Sequence, residues 1–94
     1  MIVLNVTYKC KADIREKFLE TIMAEGLDEA SRAEEGNIKY DYYIPTDGSS
    51  DLFLLEKWRD KEALSEHMQT PHLKRLAELK ADYVNETIIE RYEV

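Results

Sequence analysis

The spacing of the apolar residues constrains this chain most, because it changes period and then changes back. In the opening stretch MIVLNVTYKC, Ile2, Leu4, Val6 and Tyr8 fall at every second position, with Val3, Asn5, Thr7 and Lys9 between them. A period of two sends alternate side chains to opposite faces, so residues 2–9 read as a strand. From Asp13 the step lengthens. Ile14, Phe18, Leu19, Ile22, Met23, Leu27, Ala30 and Ala33 recur at three- and four-residue spacing, with charged residues among them. That is the stripe of one long amphipathic helix. Asp13 is its expected N-cap, and Gly36 in EEGN is expected to close it in the left-handed conformation.

Alternation then returns. In IKYDYYIP, Ile38, Tyr40, Tyr42 and Ile44 share one face and Lys39, Asp41 and Tyr43 the other, up to Pro45. TDGSSD is a turn by composition and LFLLEKW a third strand, so residues 37–58 read as an antiparallel hairpin. The third strand is apolar on both sides, with Leu52, Leu54 and Trp58 against Phe53 and Leu55. A sheet with one wet face has no need of that, so both faces are expected to be covered. Asp60 caps a short helix to about Met68. Thr70 and Pro71 start another, running to about Lys80, and ETIIERYEV alternates as a last strand. The order β-α-β-β-α(α)-β is the split βαβ arrangement of a ferredoxin-like α+β fold.

The 94 residues form one expected domain, 1–94. A chain this short buries only ~60–65% of the surface of its unfolded form, so a second subunit would help it. Helices on one sheet face leave Val3, Tyr43, Phe53 and Leu55 on the other, and the expectation is a homodimer with sheets packed face to face. The net charge of −7 argues against nucleic acid, whose phosphates require clustered Lys and Arg. No apolar run approaches the roughly 20 residues of a membrane span, and MIVLNVTYKC lacks a basic start and a small-residue cleavage site. We therefore expect a cytoplasmic protein with no membrane partner. The single cysteine, Cys10, reads as small strand filler.

No glycine-rich phosphate loop, CxxC, HExxH or nucleophile elbow occurs. The stretch Glu56–His72, EKWRDKEALSEHMQTPH, is the first candidate for chemistry, since it holds the only tryptophan and both histidines. His67 and His72 are five apart across a helix break, which is not the i, i+4 spacing that points two imidazoles at one ion from a single helix, so no metal is expected. An imidazole near neutral pH can take a proton from an acidic phenol or enol and return it. Tyr40 and Tyr42 offer ring surface and hydroxyls to a flat aromatic ligand.

Taken together, EEGNIKYDYY and LLEKWRDKEALSEHMQTPHLKRL resemble the antibiotic biosynthesis monooxygenase family over essentially the whole chain. The matching pieces are the E-G-N turn at Glu35–Asn37, E-x-W at Glu56–Trp58, and H-x-x-T-x-H at His67, Thr70 and His72. The resemblance implies a dimeric α+β barrel that oxidises a small quinol-like or polyphenolic substrate with O2 and uses no cofactor. It further implies a pocket between sheet and helices, walled by Trp58 and Tyr42, with Tyr40 and Glu56 also contacting substrate. His67 or His72 would stand near the acidic group, and Asn5 would donate a hydrogen bond to the anion. Haem-degrading relatives pair a strand-one Asn with a later Trp and His; Asn5 matches, but those later positions fall on His67 and Ala77, so the axial ligand is missing. Two other activities fit the same residues: an isomerase acting on a small hydroxyketone phosphate, with Arg59, Lys74 and Arg75 as the available cations, and a dimeric module that binds an aromatic ligand without turnover.

Overall fold

The computed structural model describes all 94 residues. Its elements are β1 (Ile2–Cys10), α1 (Arg15–Ala24), α2 (Leu27–Arg32), β2 (Asn37–Tyr43), β3 (Asp51–Trp58), α3 (Lys61–His67), α4 (Pro71–Tyr83) and β4 (Val84–Glu93). The sheet order is β2-β3-β1-β4 with every neighbouring pair antiparallel, and the helices lie on one face. This is the ferredoxin-like α+β fold expected from the sequence.

Alternation decides what meets the helices. Ile2, Leu4, Val6 and Tyr8 of β1 are buried, and so are Leu52, Leu54, Glu56 and Trp58 of β3, which pair with them across the ladder. Phe18 and Ile22 of α1 and Leu76 and Leu79 of α4 close over this surface, with Tyr8, Phe18 and Tyr83 in ring contact. The opposite face carries Val3, Asn5 and Thr7 of β1 beside Phe53, Leu55 and Lys57 of β3 and Ile88, Glu90 and Tyr92 of β4.

Several local expectations are corrected. The first helix is two helices, because Gly26 takes φ +68° and breaks the run while the apolar spacing continues through it. Asp13 is not its cap: it turns the chain at φ +59°, and Ile14 occupies the N-cap without a side-chain bond. Arg15 holds that end instead, donating to the carbonyls of Ser49 and Asp51 at 2.9 and 3.1 Å. Gly36 is not left-handed; a β-carbon there would collide with that of Ala63, so its glycine serves close approach between the β2 entrance and α3. A register shift between Asn37 and Lys39 leaves Ile38 exposed, and β2 ends at Tyr43, which leaves Ile44 exposed as well.

Candidate active site

The candidate residues are held by a strand end and a broken helix. Period two puts Glu56 and Trp58 together on the helix side of β3, where the indole Nε1–H donates to Glu56 Oε1 at 2.9 Å. Beyond Trp58 the chain turns, and the Asp60 carboxylate accepts from Ala63 N at 2.9 Å to start α3. The break after His67 is built by Thr70. Its hydroxyl donates to the His67 carbonyl at 2.8 Å and accepts from Leu73 N at 3.3 Å, while Pro71 opens α4. His67 thus ends one helix and His72 lies in the first turn of the next.

Both imidazoles meet one atom. His67 Nδ1 lies 2.6 Å, and His72 Nε2 2.8 Å, from Glu34 Oε2. Glu34 is positioned by the turn into β2, where its carbonyl accepts from Asn37 N at 3.0 Å. With a carboxylate at Glu34, both contacting nitrogens carry protons and donate. The other His67 nitrogen, Nε2, then faces Glu56 Oε1 at 3.8 Å. A chain of polar groups runs from Trp58 through Glu56, His67 and Glu34 to His72.

Burial sets the chemistry of this chain of groups. Trp58 is 0%, His67 1% and Glu56 6% exposed. Loss of water pushes the Glu56 carboxyl up to about 7, against the opposing Trp58 hydrogen bond and with a smaller upward push from Glu34. The same loss pulls His67 below its ordinary value, partly offset by Glu34. At neutral pH His67 is therefore a neutral ring, and Glu56 is divided between acid and carboxylate.

Trp58, Glu56 and His67 have almost no open space around them, while the side chains of Glu34 and His72 stay partly exposed. The His67 ring lies on the Trp58 indole with centroids 4.4 Å apart, and Tyr40 meets both rings edge-on at 5.7 and 6.5 Å. Tyr40 is buried and Tyr42 packs against the core beside it. Trp58 is thus a packed core residue where the resemblance implied a pocket wall, whereas Tyr42 is partly buried and lines a separate cleft with Leu19, Met23 and Asp28. Asn5 is not brought to them at all, since its position in the alternation puts it on the far face of the sheet, opposite Leu55 and Glu90.

Open space occurs in several clefts, and one of them adjoins this corner. A cavity of about 320 Å³ lies beside α4, lined by Tyr8, Met68, Leu73, Leu76 and Ala77 and by two lysines, Lys74 and Lys80. Lys80 Nζ sits 5.3 Å over the Tyr8 ring. Burial alone pulls Lys80 below its ordinary pKa, and no carboxylate acts to restore it. Burial also raises the Tyr8 phenol, which stays neutral. A mostly apolar cavity lined by an ammonium without a carboxylate partner is suited to an apolar anion.

The family model for antibiotic biosynthesis monooxygenase matches residues 1–79. The chain belongs to this family. It is similar to YcnE of Bacillus subtilis, named as a candidate monooxygenase, at 42% identity over 72 residues, covering 77% of this chain and 74% of that protein. A Pseudomonas aeruginosa structure is similar at 26% identity and TM-score 0.87, covering 99% of this chain and 92% of that one. A Nitrosomonas europaea structure, titled as a candidate antibiotic biosynthesis monooxygenase, shares the fold at TM-score 0.89 and 24% identity over 100% of this chain and 98% of its own.

Within this monooxygenase-family domain, sequence reasoning missed Glu34, Tyr8 and Lys80. Glu34 directly precedes the quoted E-G-N turn, but nothing local says that its carboxylate reaches residues 33 and 38 positions later. Lys80 did leave a signal. Leu73, Leu76, Ala77 and Lys80 stand at i, i+3, i+4 and i+7, so this lysine finishes an apolar helical stripe.

Proposed function

We propose that this protein is a monooxygenase that oxidises a small quinol-like phenol with O2, without metal, flavin or haem, in the cavity beside α4. The observation that carries the reading is Lys80, an ammonium without a carboxylate partner in the lining of a mostly apolar cavity. Family membership supports the reaction class, and a volume of about 320 Å³ suits a substrate of one or two rings.

The chemistry asks little of the protein. At ~4 Å and an effective dielectric near 20, an ammonium favours a phenolate by about 4 kcal/mol, equivalent to roughly three pKa units. The electron-rich anion then reduces O2 directly. One oxygen atom bonds to a ring carbon and the other leaves as water with two hydrogens of the quinol, so that quinol and O2 give hydroxyquinone and H2O. Lys80 holds the anion, Tyr8 supplies a ring surface, and Leu73, Leu76 and Met68 exclude water. The packed group of Trp58, His67, Glu34 and His72 fixes the α3–α4 corner that carries Met68 and Leu73, and so acts by positioning.

A second reading, isomerisation of a small hydroxyketone phosphate, draws support from Lys74 standing at the same cavity as Lys80. Arg59 and Arg75 are engaged with Asp60 and with Glu25 and Glu78. Inorganic phosphate competing with substrate at the cavity would favour this reading. We also infer a homodimer through the open sheet face, where Val3, Phe53 and Leu55 lie among exposed Tyr43, Ile88 and Tyr92. Sedimentation at micromolar concentration should give twice the 11.0 kDa chain mass, and a particle of 11.0 kDa would refute the dimer. No helix is long and apolar enough to cross a membrane.

The test is oxygen uptake with a panel of quinols in chelator-treated buffer, comparing wild type with Lys80→Met. Turnover that falls about 10- to 100-fold in the variant supports the reading. No uptake with any quinol, or equal rates in the two proteins, overturns it.

A further inference from the structure

Glu34, His67 and His72 each offer one donor atom within 4.8 Å of the other two, and Glu34 Oε2 meets His67 Nδ1 and His72 Nε2 directly. They come from the turn before β2, the end of α3 and the start of α4. We propose that these three residues bind one divalent transition-metal ion of the zinc class per chain, clamping the β2 entrance to the α3–α4 corner.

Imidazole nitrogen and carboxylate oxygen are donors that suit zinc, cobalt, nickel and copper better than magnesium or calcium. Two histidines and one glutamate form a known three-residue set for zinc, with water as the fourth ligand. Spacing in the sequence argued against this site, since five residues on one continuous helix would not direct both rings at one ion. The Thr70–Pro71 break removes that objection by re-aiming His72 at the carboxylate that His67 already meets.

The fit can be tested on distances. Bonds of ~2.0–2.1 Å in a tetrahedron separate the ligand atoms by about 3.3 Å. The present contacts of 2.6 and 2.8 Å therefore have to open by roughly 0.5–0.7 Å. Glu34 can move that far, because it lies in a turn and its side chain is 16% exposed; His72, at 17%, gives the ion a way in. No lysine or arginine competes for Glu34, whose ion-pair partners are the two imidazoles. Behind His67, Glu56 faces the second ring nitrogen and is itself held by Trp58, the supporting shell that a metal-bound histidine ordinarily has.

This site lies outside the cavity beside α4 and does not depend on the oxidation assigned there. Zinc carries no redox chemistry, so its binding leaves a metal-free reaction with O2 intact.

Zinc ion is titrated into chelator-stripped full-length protein by calorimetry, and cobalt(II) absorption is read in parallel. We expect one zinc per chain, a rise in melting temperature, and intensified visible cobalt bands as for a four-coordinate site. Glu34→Gln and His72→Ala should each weaken zinc binding at least tenfold, while Lys80→Met should bind it as wild type does. Absence of saturable binding near one equivalent, an aqua-like cobalt spectrum in wild type, or unchanged affinity in both Glu34→Gln and His72→Ala would overturn the proposal. Because Lys80→Met reads the cavity and Glu34→Gln reads the clamp, the two proposals fail separately.

Discussion

The group around Glu34 and the cavity beside α4 are one helix turn apart and differ in what they offer. The first concentrates two imidazoles, two carboxylates and an indole, with rings in contact at 4.4 Å and almost no exposure for Trp58 or His67. The second offers about 320 Å³ of mostly apolar space lined by two lysines, Lys74 and Lys80, of which Lys80 is half-buried without a carboxylate partner. Reactive residue types mark the first, and the room that the proposed reaction needs lies in the second. A dense hydrogen-bonded cluster in a small domain is first a way to satisfy buried polar groups, and its chemistry is available only where one of them meets open space.

Substitutions can break this contrast, and the largest expected effect is on stability. Trp58→Ala removes a fully buried ring that contacts both His67 and Tyr40 and should cost about 3–5 kcal/mol by chemical denaturation. Ala77→Val, on the cavity wall, has space to enter and should cost under ~1 kcal/mol. Equal losses would mean that the two regions are equally packed.

Next in size is a pH effect. Glu56 has a folded pKa of about 7 against 4.5 for a free carboxyl. The unfolded chain therefore ionises first, and wild type loses stability as pH rises from about 4.5 to 7, with the deficit constant above that. Glu56→Gln keeps the shape and can still accept from Trp58, so in chelator-treated buffer it should match wild type below pH 4.5 and exceed it by roughly 1–3 kcal/mol above pH 7. A difference that does not vary with pH would contradict the assignment. The smallest effect concerns Lys80, whose lowered pKa implies that affinity for a phenolate falls on the alkaline side, starting below the ordinary lysine range. A flat affinity profile up to the ordinary range would remove the ammonium from the binding site.

Much of the fold could be read along the chain because the information is local. Alternation in Ile2–Tyr8 and the Asp60 and Thr70–Pro71 signals set β1, α3 and α4 within a few residues. What escaped was non-local or hidden by a continuing pattern. Leu27 and Ala30 keep the helical spacing across Gly26, so the break between α1 and α2 made no mark on the periodicity. The extra residue at Ile38 is visible only from its partner strand, since a bulge is a mismatch of two ladders. The site divides in the same way. His67, His72, Glu56 and Trp58 were readable as a group because one strand end and one corner hold them, whereas Glu34 joins from the other side of β2 and Tyr8 from β1. Asn5 looked unusual in an apolar strand, but the parity of its position already put it opposite the Ile2–Tyr8 face.

The most direct test of the account is the ionisation of a coloured nitrophenol bound to the protein, followed by absorbance against pH in wild type and Lys80→Met. Wild type should lower the pKa of the bound phenol, and the variant should abolish most of that shift. A bound phenol whose pKa is unmoved in wild type, or is lowered equally in Lys80→Met, would contradict the cavity beside α4 as the place where the substrate anion is held.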